Sequence, residues 1–92
     1  MKPQTITGKL ERDKDSNWHY VHIPKPVRDH FEALEKRGII AVNATIGDTS
    51  WQGSLLPWAD GSAQISVSQA VRTREKLSAG DEITILLAPR PS

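Results

Sequence analysis

Apolar residues alternate with polar ones in six separate stretches of the chain, and this period-2 pattern predicts a β protein. Ile6 and Leu10 share one face of Gln4–Glu11, with Gly8 between them. The polar run Arg12–Asn17 predicts a turn, and Trp18–Ile23, rich in aromatic and β-branched residues, predicts a second strand ending at Pro24. These two strands are expected to form a hairpin. Pro24 and Pro26 open a predicted helix over Pro26–Arg37, whose stripe of Val27, Phe31 and Leu34 faces the core, with Gly38 as its C-cap.

Ile40, Val42, Ala44 and Ile46 alternate in the third strand, and Gly47–Ser50 is turn chemistry before Trp51–Leu55 returns as its partner. Pro57 stops that strand. Asp60-Gly61 supplies another turn, and Ala63, Ile65 and Val67 mark the fifth strand. A short helical turn over Val71–Leu77 follows, and Gly80-Asp81 leads into Glu82–Leu87, where Ile83, Ile85 and Leu87 share a face. Six strands and one or two short helices close most simply as a small barrel, a mainly β fold in a single domain over residues 1–92.

The order contains a near-duplication. Val21-x-Ile23 and Val27-Arg28 match Ile65-x-Val67 and Val71-Arg72 at a spacing of 44 residues. Beyond the helical segments the spacing becomes 43, equating Leu34 with Leu77, Ile40 with Ile83, Val42 with Ile85 and Ala44 with Leu87. Two similar halves wrapped around one core would let a single chain do the work of a dimer of half-chains, so a monomer is expected.

Composition narrows the chemistry. The 92 residues include 21 Leu, Ile, Val and Phe, and carry a net charge of +1. Such a chain folds, but it buries only roughly 60–65% of its unfolded surface, which leaves little room for a deep cavity. Without cysteine there is no disulfide, thiol nucleophile or thiolate metal site. The N-terminus has no apolar run and Ile39–Val42 is among the longest apolar stretches, so neither a signal peptide nor a membrane span is expected, and the setting expected is the bacterial cytoplasm.

The motifs Trp18-x-x-Val21-x-Ile23-Pro24, Ala44-Thr45-Ile46-Gly47, Trp51-x-x-Ser54-Leu55-x-Pro57, Gly61, Ile65-x-Val67 and Gly80-Asp81-x-Ile83-x-Ile85 resemble, in order and spacing, the small bacterial family called domain of unknown function 1905. The resemblance runs over nearly the whole chain. It implies a double-split, pseudo-dimeric β-barrel, distantly like the swapped-hairpin AbrB and MazE-type regulators and antitoxins. Ile23-Pro24-Lys25-Pro26-Val27-Arg28 and Gly80-Asp81 resemble the stretches those relatives carry in each protomer. This chain departs from them by fusing two unlike halves, with Ser68 where the first half has Pro24.

Candidate chemistry is sparse. His19 and His22 point to opposite faces of a strand, so they cannot chelate together, and no metal or cofactor is implied. Neither Gly-x-Ser-x-Gly, a glycine-rich phosphate loop nor His-Glu-x-x-His occurs. Lys and Arg are absent from Gly38 to Val71, and the basic clusters Lys25/Arg28/Lys36/Arg37 and Arg72/Arg74/Lys76 are interleaved with carboxylates. That interleaving fits solvated helix faces better than a phosphate-binding stripe. Arg28 and Arg72 occupy matched places, and each is read as a tie from helix to strand through a carboxylate or carbonyl, with Asp81 the expected partner of Arg72.

Burial is expected for Trp18, Tyr20 and Trp51, whereas Trp58 sits beside a loop. Trp51 and Trp58 are the candidate ligand contacts of a non-catalytic binding or interaction module for a small molecule or protein. The alternative is a nucleic-acid-binding regulator using Lys25, Arg28, Arg72 and Arg74.

Overall fold

A computed structural model describes residues 1–90. Its strands are β1 (Gln4–Lys9), β2 (Glu11–Arg12), β3 (His19–Ile23), β4 (Glu35–Lys36), β5 (Ile39–Ile46), β6 (Thr49–Pro57), β7 (Ala63–Ser66) and β8 (Glu82–Pro89). Helix α1 spans Lys25–His30 and α2 spans Gln69–Glu75. The hydrogen-bonded order is β1-β8-β5-β6-β7-β3-β2, all antiparallel, with β4 on the side of β5. Among the described residues no helix is long and apolar enough to cross a membrane.

The ends of this sheet come together. A Cβ placed on Gly8 of β1 would stand 3.0 Å from Val21 Cγ1 of β3, so glycine lets the two strands close the barrel. The period-2 faces predicted from the sequence point inward as expected: Ile40, Val42, Ala44 and Ile46, then Ile83, Ile85 and Leu87, are buried together with Val21, Ile23, Leu55 and Ile65. Leu10 and Phe31 plug the barrel with no exposed surface.

Several local expectations are corrected. The first strand is interrupted at Leu10, whose N–H and carbonyl bond to Asp81 O at 2.8 Å and Gly80 N at 2.7 Å. In consequence β1 pairs with β8 from Gln4↔Leu87 to Lys9↔Glu82, and only the short β2 forms the hairpin with β3. Trp18 precedes β3 and is 42% exposed rather than buried.

The first helix also stops seven residues before its expected end at Arg37. The chain turns at Phe31 (φ −100°, ψ 8°), which drops its ring into the core, and continues as a 3-10 turn over Glu32–Leu34. Glu35–Lys36 then becomes β4 and pairs back onto Ile39 and Ile40. Gly38 (φ +83°) is therefore no C-cap. With Arg37 (φ +55°) it forms the two-residue turn of a tight hairpin, where both central residues require positive φ. Val27 and Leu34 still pack on the core, so the apolar stripe was legible although the helix carrying it is broken.

In the second half α2 begins earlier than expected, because Ser68 Oγ caps the N–H of Val71 at 3.4 Å, and it ends at Lys76 in the left-handed region.

Candidate functional site

Trp58 leaves β6 and folds back over the outer face of β3. Its ring centroid lies 4.7 Å from that of His22 and 6.0 Å from that of Tyr20, the latter edge to face. Trp18 Nε1 donates to Gln64 Oε1 at 3.3 Å on the same face. Beneath Trp58, Ser62 Oγ donates to Asp60 Oδ1 at 2.5 Å, and the Ser62 N–H donates to the same oxygen at 2.9 Å. His22 Nε2 stands 2.9 Å from Ser62 Oγ. Because the hydroxyl proton is already given to Asp60, the ring nitrogen is the donor.

This Asp, Ser and His trio is wired differently from a nucleophilic triad. There a histidine lies between serine and carboxylate and accepts the hydroxyl proton. Here the serine lies in the middle, is 4% exposed, and accepts from the histidine. The arrangement locks the β6–β7 turn. Its main electrostatic effect is on Asp60, whose carboxyl is held below the ordinary range by the two bonds from Ser62, with His22 adding to them and burial opposing.

Trp51 has a different setting. It faces Ala44 in the β5–β6 register and packs against the core, with its Nε1 3.0 Å from where a Cβ on Gly53 would stand. The missing side chain at Gly53 makes the room for the indole. From Trp51 to the end of β6 at Pro57 the strand rises by about 20 Å, so the two tryptophans stand near opposite ends of it.

The four cations of the nucleic-acid alternative are divided in the same way. Lys25 Nζ bonds Asp29 at 2.6 Å. Arg28 is surrounded by Asp29, Glu32 and Glu35, the last in direct contact, and its side chain is only 13% exposed. Burial opposes its charge, but these carboxylates more than offset that and raise the guanidinium's pKa. Arg72 Nε donates to Val67 O at 3.2 Å, tying α2 to the end of β7 through a carbonyl. Its expected partner Asp81 instead accepts the N–H of Ser78 at 2.9 Å, because that loop turns back on itself. Arg74 is exposed on α2.

The early end of α1 creates a feature that the sequence reading did not anticipate. The 3-10 turn and the β4–β5 hairpin border an open groove of about 560 Å³, which Arg90, just past the end of β8, also lines. Ala33, Leu34, Ile39 and Ala41 supply its apolar surface, and Ile39 is 42% exposed there. Among the described residues its polar rim is cationic: Lys36, Arg37 and Arg90.

Arg90 is anchored from behind. Its Nη2 donates to Val42 O at 3.3 Å and also to Gly53 O, which fastens the guanidinium across β5 and β6. Its buried Nε has no partner among the described residues. Lys36 and Arg37 belong to the first basic cluster read from the sequence, but a continuous helix would have dispersed them along a solvated face. The signal that could have separated them is the pair Arg37-Gly38 followed at once by alternating apolar residues, the mark of a tight hairpin.

Residues 7–87 match the family model described as Domain of unknown function (DUF1905). No curated protein matches the chain.

Proposed function

The chain belongs to the DUF1905 family, and from that premise we propose that it is a non-catalytic binding module whose ligand is a small molecule seated in the groove beside the β4–β5 hairpin. One observation carries this reading. The groove combines a volume of about 560 Å³, within the usual span for small-molecule sites, with an apolar floor and a few convergent polar groups.

Its construction supports the same reading. Ile39 stays exposed on a strand whose alternate residues Ile40 and Val42 are fully used in the core, so its apolar surface contributes nothing to the barrel. Arg37 occupies a left-handed conformation that most residues avoid, and this presents its side chain at the hairpin tip.

The test is a fragment screen on isotope-labelled protein followed by amide chemical shifts. Shifts concentrated at Ala33, Leu34, Ile39 and Ala41 are the expected result. Fragments that bind only around Trp58 and Tyr20 would move the site to the opposite arrangement of aromatics and overturn the assignment to the groove.

A further inference from the structure

We propose that the ligand of this groove is an organic monoanion, a carboxylate carried on an apolar chain or ring. The inference rests on reading the groove as the binding site, and it names the chemistry that the groove selects.

The argument begins with where the carboxylates go. Glu35 is next to Lys36 in sequence and would be its simplest counter-ion. The structure gives Glu35 to Arg28 instead, on the α1 side, together with Glu32 and Asp29. Among the described residues no ion pair is formed by Lys36, Arg37 or Arg90, and no Asp or Glu lines the groove. Among the described residues, three cations therefore line one apolar surface, and Glu35, the acidic residue next to Lys36 in sequence, is committed to Arg28. Such a surface attracts an anion and repels a cation of the same shape.

Arg90 supplies the geometry. Two carbonyl contacts fix its guanidinium, so its remaining donors have a set direction before any ligand arrives. Both contacts use Nη2 and Nε is buried, so Nη1 is the donor left to a ligand, and a carboxylate oxygen would accept a charge-assisted hydrogen bond from it. The apolar residues Leu34, Ile39 and Ala41 would take the body of the ligand, and Lys36 and Arg37 at the rim would add longer-range attraction.

The test uses three probes that share one apolar chain: octanoate, octanol and octylammonium, each titrated into the labelled chain at low and at 150 mM salt. Octanoate is expected to shift the groove amides with at least about tenfold higher affinity than octanol, to weaken as salt is raised, and to be unmatched by octylammonium. Lys36→Gln and Arg37→Gly should each weaken octanoate several-fold and leave octanol unchanged. Arg37→Gly is a safe variant, since glycine suits φ +55° better than arginine does.

Octanol binding in the groove as tightly as octanoate, or octanoate affinity unchanged in both variants, would overturn the anionic head group while leaving the groove as a site. If neither these probes nor any fragment perturbs the groove, the site itself fails and the inference with it.

Discussion

Ala44 faces Leu87 directly across the β5–β8 ladder. The 43-residue spacing equates these two positions, and Val21 and Ile65, equated by the spacing of 44, likewise face each other across β3 and β7. A twofold axis relating the two halves would have to pass through both pairs. At the first pair the side chains are unequal, and Trp51, the other neighbour of Ala44, fills the space that alanine leaves.

Leu87→Ala should therefore be costly. The side chain is fully buried between β1 and β5, and a Leu→Ala change at such a site costs about 2–5 kcal/mol through lost transfer energy and a residual cavity. Ala44→Leu should cost about 1–3 kcal/mol by overpacking against Leu87 and Trp51. Urea unfolding measures both, and near-neutral values for the two would contradict a tightly packed centre.

Thr49 Oγ1 donates to Glu75 Oε2 at 2.6 Å, clamping the end of α2 onto the β5–β6 hairpin. Thr49 is buried, so Thr49→Val leaves a half-buried carboxylate without this donor, and a loss of about 1–3 kcal/mol is expected. Gly47→Ala attacks the same contact twice, because φ is +56° there and a Cβ would collide with the Glu75 carboxylate. If stability is unchanged in both variants, α2 is held by its apolar face alone.

Asp60 gives a pH signature. Its folded-state pKa is depressed, first by the Ser62 hydroxyl and then by the Ser62 N–H and His22. The associated stabilisation is fully present above the pKa of an unfolded aspartate and is lost as pH falls through the lower folded value. In Ser62→Ala the Asp60 carboxyl resonance should titrate at higher pH, and the stability deficit of the variant should shrink on acidification through that window. A carboxyl midpoint that does not move would remove Ser62 as the cause.

Mixed-sequence duplex DNA should bind negligibly at physiological salt. Lys25 and Arg28 are engaged by Asp29, Glu32 and Glu35, whereas a binder contacting six phosphates would show a salt slope of roughly −5. Fluorescence anisotropy of a labelled duplex at two salt concentrations is the assay. Micromolar binding that collapses with salt and is lost in Arg72→Ala would restore the regulator reading.

A monomer of 10.2 kDa is expected by light scattering at micromolar concentration, since one chain supplies every strand of the barrel. A stable dimer would mean that the seam between β1 and β3 opens to exchange strands.

The sequence alone determined the strand faces. Alternation at Ile40, Val42, Ala44 and Ile46, and at Ile83, Ile85 and Leu87, depends only on the geometry of successive residues, so it survives whatever the chain packs against. Turn chemistry at Gly47 and Gly61 is local for the same reason. The sites were decided by tertiary structure. A continuous stripe of Val27, Phe31 and Leu34 suits a helix, yet burial of Phe31 and pairing of β4 with β5 outweighed that local preference and opened the groove. The links between Arg90 and Val42, and between His22 and Ser62, span 48 and 40 residues. Which cation keeps a free edge and which is neutralised follows from barrel closure and sheet register, because a side chain only a few ångströms long is paired by whichever strand the fold brings within its reach.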